Sequence, residues 1–252
     1  MTQITLPKTE ANADKAVQVW RIPLEVSDDT LNRYLACLSE DEMNRANRFR
    51  FADDRRRFAV ARGTLRHLLG QQFEQPPSDI EFCYGEYGKP EMGKQTSQIA
   101  SHKKSHRKNQ PASCDFHFNL SHSGEIALCA LGHNRQVGID IEKLKPMKRL
   151  ESMMERCFVG SEQSHIQRAD NPSHTFLQYW TCKEAYLKAI GLGLIQSMQT
   201  VEVQLAPPQF MTVPHDCAEG WHLELLPLPQ DYLGALVIAG ETKVQTSSWK
   251  HP

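Results

Sequence analysis

Apolar and polar positions alternate cleanly through Val137-Gly138-Ile139-Asp140-Ile141-Glu142. In a strand, alternate residues share a face. Val137, Ile139 and Ile141 then point into a core, and Gly138, Asp140 and Glu142 share the opposite face. A second alternating run, Phe116 to Leu120, predicts a strand that ends at Ser121-His122-Ser123-Gly124, with residues 125–131 as its hairpin partner. Shorter runs at 17–21, 80–84, 201–205, 221–226 and 234–239 predict further strands. Elsewhere the period changes to 3.6. Phe58, Ala61, Leu65, Leu68 and Leu69 make one face of a helix over 53–69. Ser27-Asp28-Asp29 caps a helix running to about Leu38, and Ser39-Glu40-Asp41-Glu42 is a capping box with Glu42 at its N3 position. Residues 150–158 and 161–169 pattern as helices. The longest helix is expected over 173–190, ending at Gly191, which can turn the chain without a Cβ.

Helices followed by strands recur in both halves, so the expected class is α+β. Two pseudo-symmetric subdomains are expected, each a small, mainly antiparallel sheet packed with helices, covering residues 16–133 and 134–252. Residues 1–15 are polar, lack the apolar stretch of a signal peptide, and read as a flexible tail. Residues 92–113 carry Lys94, Lys103, Lys104, Arg107 and Lys108 without periodicity and read as a flexible insertion.

Composition narrows the function classes. A formal net charge of −1 gives no global basic field for nucleic acid. No apolar run is long enough to span a membrane. Seven cysteines, an odd number without a CxxC pair, point to a reducing compartment and hence the cytoplasm. His102, His106, His117 and His122 are scattered and no HExxH occurs, so no histidine metal site is assigned.

Three stretches carry candidate chemistry. In the long helix, Trp180, Glu184 and Lys188 fall in one row, i, i+4 and i+8. Alone, this is compatible with an ordinary ion pair on a solvated face, just as Asp140-x-Glu142 alone is compatible with a strand end entering solvent. Two carboxylates on one strand face repel unless a cation or proton lies between them. Gly138 beside them lets something approach the backbone closely. Together Asp140, Glu142 and Glu184 would make an all-oxygen site suited to Mg²⁺, with Mn²⁺ as the alternative. Ser121 and His122 suit a phosphate or an adenine edge. They cannot pair as nucleophile and base, because neighbours on a strand point to opposite faces. Arg57, Arg62 and Arg66 are either the wet side of an amphipathic helix or a grip on an anionic ligand.

These motifs occur in an order and spacing that resembles a known family. Asn119-Leu120-Ser121-His122-Ser123, Val137 through Glu142, and Trp180-x-x-Lys183-Glu184-Ala185-x-x-Lys188 are similar to signatures of the larger, monomeric 4′-phosphopantetheinyl transferases, in their Lys-Glu-Ala variant. Tyr87-Gly88-Lys89-Pro90 and the arginine-rich stretch from Arg48 fit the same pattern. The resemblance implies a monomer with its active site between two halves. It implies transfer of the phosphopantetheine arm of coenzyme A to a serine of an apo acyl or peptidyl carrier protein of fatty-acid, polyketide or peptide synthesis. By resemblance, Asp140, Glu142 and Glu184 hold Mg²⁺, Glu184 or a metal-bound water takes the serine proton, and Lys188 stabilises the leaving phosphate. Lys89, Ser121 and His122 would bind coenzyme A, with His122 and an arginine, Arg45 or Arg62, near its 3′-phosphate. Two other classes share these residues: a Mg²⁺-dependent pyrophosphatase acting on coenzyme A, and a catalytically silent carrier-binding module.

Overall fold

The chain's computed structural model describes residues 16–93, 116–147, 149–192, 198–214 and 218–252. The first half opens with β1 (Val17–Pro23), then α1 (Asp28–Leu35), α2 (Glu40–Asn47) and α3 (Ala52–Phe73). It continues with β2 (Phe82–Tyr84), β3 (Pro90–Met92), β4 (Phe116–Ser123) and β5 (Ile126–His133). The second half contains β6 (Val137–Lys143), α4 (Leu150–Cys157), α5 (Gly160–Arg168) and α6 (Pro172–Ile190). There follow β7 (Glu202–Leu205), β8 (Pro208–Thr212), β9 (Trp221–Leu225), β10 (Tyr232–Ala239) and β11 (Val244–Ser248). The class is α+β, with small and mostly antiparallel sheets.

The helix signals act where the sequence places them. Ser27 caps α1 by accepting from the Thr30 amide at 3.3 Å. The Glu42 carboxylate accepts from the Ser39 amide at 3.0 Å. Gly191 ends α6 at φ 77°, the left-handed conformation that an L side chain resists. Some expected boundaries move. α1 stops at Leu35, and α3 runs four residues beyond Leu69, to Phe73. The stretch expected as a turn, Ser121 to Ser123, is strand, paired with Leu128 through Ile126. Met92 and Gly93 are not part of an insertion, because Met92 is buried in β3. The remainder of the expected insertion, residues 94–113, and the expected tail, residues 1–15, lie outside the described residues.

Three apolar cores organise these elements. One packs α1 and α3 on one face of β1, β4 and β5. Another packs α6 against β7 through β10. The third joins the halves: Val17, Val19, Leu128 and Ala130 meet Val137, Ile139, Ile141, Leu236 and Ile238. The apolar side of the alternating acidic strand is therefore the joint between the two sheets, and its polar side is left for α6.

The sheet orders are β11-β1-β5-β4 and β6-β10-β9, so β4 and β6 are both edge strands. The division expected at residue 134 assigns β11 to the second half. Instead β11 pairs in parallel with β1, Val17 opposite Val244, and completes the first half's sheet. Trp249, just beyond it, is buried and donates its indole N–H to the Tyr34 hydroxyl at 2.9 Å.

Candidate active site

The site is built where α6 crosses the polar side of β6. A Cβ on Gly138 would lie 1.9 Å from the Ala185 carbonyl oxygen and 2.4 Å from the Ala189 amide. The absence of a side chain at Gly138 thus lets α6 lie directly on the strand. This contact brings one turn of α6, Glu184 to Lys188, over Asp140. The Lys188 ammonium donates to Asp140 Oδ1 at 2.5 Å and to Ser121 Oγ at 2.8 Å, and Ser121 itself donates to Asp140 Oδ1 at 2.8 Å. Asp140 and Glu184 are buried. Asp140 Oδ2 and Glu184 Oε1 are buried without a hydrogen-bond partner among the described residues.

Electrostatics ties the three carboxylates together. Burial, followed by the charge on Asp140 and a smaller repulsion from Glu142, pushes the Glu184 carboxyl up to about 7, against the pull of Lys188. Burial and Asp140 also raise Glu142, partly offset by its bond from Ser123. Among the described residues no three acidic, histidine or cysteine side chains already converge as a metal centre. The donor set nevertheless fits a hard divalent cation. It offers carboxylate oxygens only, two of them buried and unpartnered, and mutual repulsion that a cation would relieve.

The first half closes this region from the other side. β4 supplies Ser121 buried and the adjacent His122 facing outward, the opposition expected of strand neighbours. Desolvation, and then the charge on Lys188, hold the His122 imidazole below its usual range; Arg57 and Arg45 add to this and Asp54 opposes it. It therefore sits in a locally positive field. Lys89, from the turn between β2 and β3, reaches the second half and donates to the Ala189 carbonyl at 2.7 Å, at the end of α6. Burial lowers its ammonium to about 8. A groove of about 590 Å³ opens in the first half, lined by Asp41, Asn44, Arg45, Arg48, Phe49 and Tyr84.

Arg62 and Arg66 take neither of the two places considered for them. Both are buried, and both bind the buried carboxylate of Glu42 through their Nε atoms. Arg66 also donates to the Pro77 and Ile80 carbonyls at 2.9 Å each. Arg62 donates to the Tyr84 hydroxyl at 3.0 Å and stacks over Phe82 at 4.1 Å. Lys183, one residue before Glu184, is likewise internal, bound to Glu162 at 2.5 Å and to the Cys157 and Met198 carbonyls.

Two residues went unassigned in the sequence. Asn119 Oδ1 accepts from the Ile139 amide at 2.9 Å. Ser123 Oγ donates to Glu142 Oε2 at 2.9 Å and accepts from the Lys143 amide at 3.0 Å. Their signal was the two-residue spacing of Asn119, Ser121 and Ser123, which puts three small polar side chains on one strand face.

Comparison with known proteins gives the family of the chain. A model of the 4'-phosphopantetheinyl transferase superfamily matches residues 136–237, and one of the 4'-phosphopantetheinyl transferase N-terminal region matches residues 24–133. The chain is 38% identical over 227 residues to the 4'-phosphopantetheinyl transferase HetI of Nostoc sp., covering 89% of this chain and 88% of that protein. It is 30% identical over 182 residues to the 4'-phosphopantetheinyl transferase Sfp of Bacillus subtilis, covering 71% of this chain and 72% of that protein. The chain belongs to the 4'-phosphopantetheinyl transferase family and is a transferase.

Proposed function

We propose that this transferase moves the phosphopantetheine arm of coenzyme A onto a serine of an apo acyl or peptidyl carrier protein, releasing adenosine 3′,5′-bisphosphate, with Asp140, Glu142 and Glu184 holding Mg²⁺ or Mn²⁺. The observation that carries the reading is the pair of buried, unpartnered oxygens on Asp140 and Glu184, beside the Lys188 ammonium. The ion, when bound, would neutralise charge on the pyrophosphate.

The chain's own groups do the rest. Glu184 takes the proton of the carrier serine as its oxygen attacks the β-phosphorus. Lys188 neutralises the leaving phosphate, where charge accumulates. Lys89, Ser121 and His122 bind coenzyme A, and the positive field around His122 suits its phosphates. Arg45 faces the 3′-phosphate in preference to Arg62. Arg45 lines the groove, while Arg62 is held by Glu42 and Tyr84. No described helix is long and apolar enough to cross a membrane. Cys37, Cys83, Cys129, Cys157 and Cys182 are free thiols, in keeping with a reducing compartment such as the cytoplasm.

The test is to incubate the protein with coenzyme A, Mg²⁺ and an apo carrier, and to weigh the carrier. The expected result is a carrier heavier by one phosphopantetheine, with no change when Mg²⁺ is chelated. Coenzyme A cleaved without a carrier would assign a pyrophosphatase instead. A carrier bound but unmodified would leave only a binding module.

A further inference from the structure

The seam between β4 and β6 does more than hold two sheets together. Both strands are sheet edges, and side chains bridge them where backbone pairs would otherwise run. Asn119 meets the Ile139 amide, Ser121 meets Asp140, and Ser123 meets both Glu142 and the Lys143 amide. Each step of two along β4 serves the next stretch of β6, so the strands are in register and run in the same direction. Every acidic residue of β6 is gripped by a hydroxyl from β4.

We propose that Ser123 is a positioning residue of the acidic site. Its hydroxyl fixes the Glu142 carboxylate and, through the Lys143 amide, the strand that carries it. This rests on the reading of Asp140, Glu142 and Glu184 as the metal-holding set. Ser123 has two hydrogen bonds at once, donating to the carboxylate and accepting from the next residue's amide. The Glu142 side chain and its own backbone are thereby clamped to one atom. A carboxylate held this way presents its remaining lone pairs in a fixed direction, which is how outer hydrogen bonds tune a ligand. Asn119 does the equivalent for the backbone one residue before Asp140. Lys188 and Ser121 already hold Asp140 itself, so Ser123 is the grip that Glu142 alone depends on. Ser123 is half-buried near the strand end, so removing its hydroxyl leaves the cores intact.

The experiment compares Ser123→Ala, Ser123→Thr and Asp140→Ala with the unaltered protein. Mn²⁺ binding is followed by electron paramagnetic resonance with coenzyme A present, and the Mg²⁺ dependence of transfer is measured beside it. Ser123→Ala is expected to weaken Mn²⁺ binding about 10-fold and to raise the half-saturating Mg²⁺ by the same factor. The KM for coenzyme A should stay within about two-fold, and the rate at saturating Mg²⁺ should recover, since no group touching substrate is lost. Ser123→Thr, which keeps a hydroxyl, restores both. The Lys143 amide should exchange with solvent faster in Ser123→Ala alone. Unchanged Mn²⁺ affinity in Ser123→Ala overturns the proposal, whatever the amide does. So does a higher KM for coenzyme A at unchanged metal affinity, which would make Ser123 a substrate contact. Asp140→Ala keeps the two readings apart. If it binds Mn²⁺ normally, the metal site itself is wrong; if it fails while Ser123→Ala does not, only the positioning role falls.

Discussion

The charge cluster around Glu42 in the first half and the acidic cluster around Asp140 in the second are built in opposite ways. In the first half, Glu42 is matched by Arg62 and Arg66, and both arginines find further acceptors on the Tyr84 hydroxyl and on two backbone carbonyls. In the second, Lys188 pairs with Asp140, and Asp140 and Glu184 each keep a buried oxygen with no partner among the described residues. Removing polar groups from water without partners is costly, most of all for carboxylates, so two such oxygens side by side invite a cation. Density of charge therefore does not mark the functional site here. What sets the second cluster apart is its pair of unpartnered carboxylate oxygens, and substitutions in the two clusters should part along the same line.

The largest effect is expected at Glu42. Glu42→Ala strands two buried guanidinium groups and should cost about 3–5 kcal/mol of stability, read from urea or thermal unfolding. Added coenzyme A and Mg²⁺ should not rescue it. A loss under about 1 kcal/mol would mean that the first cluster is no better satisfied than the second.

Asp140→Ala should invert that profile. Transfer falls on the order of 10²-fold or more, while the metal-free protein melts no lower than before. The fold is spared because the deletion relieves carboxylate repulsion, and Lys188, partly exposed, can be rehydrated. Transfer at the unaltered rate under limiting Mg²⁺ would remove the chemical basis of the site.

Gly138→Ala probes the contact on which the second cluster depends. The new methyl has no room against the Ala185 carbonyl, so α6 must move off β6. The expected cost is about 1–3 kcal/mol, with a rate loss larger than this destabilisation explains. Normal transfer in a destabilised variant would show that the placement of Glu184 over Asp140 tolerates a shift.

The smallest effect carries a sign. The folded Glu184 carboxyl titrates near 7, above the 4.5 of an unfolded chain. Between those values the folded state holds a proton that the unfolded state has lost, so folding weakens as pH rises through this window. Glu184→Gln removes the effect. The metal-free variant should be more stable than the parent at pH 8, on the order of 1 kcal/mol, with the gain vanishing by about pH 4. Equal stability at pH 8 would indicate that the orphaned carboxylate costs nothing.

Much of the site was legible because its signals are local. Strand alternation put Asp140 and Glu142 on one face, the helical period lined up Glu184 with Lys188, and Gly138 announced a close approach that proved to be α6. The arginines of α3 were not legible. Their sequence context is the same whether they face water or a carboxylate twenty residues upstream, and only the packing of α2 on α3 decides. Asn119 and Ser123 were hidden for a related reason: their partners are amides and a carboxylate on another strand. β3 was masked by Pro90, which reads as a turn residue but sits at a strand start where no ladder donor is needed. β11 was missed because it is polar and exposed, and it pairs with a strand at the far end of the chain.

That pairing has a consequence for how the protein is made. On the ribosome, β1 and β5 can meet early, but the other edge of β1 has no partner until residues 244–248 have emerged. Trp249, which seals the core beneath α1, emerges with them. Throughout synthesis of the second half, the nascent first half carries an open row of strand amides and carbonyls. Such an edge is a template for pairing with the wrong chain. A ribosome stalled between β10 and β11 would thus hold a complete set of site residues on a polypeptide still prone to aggregate.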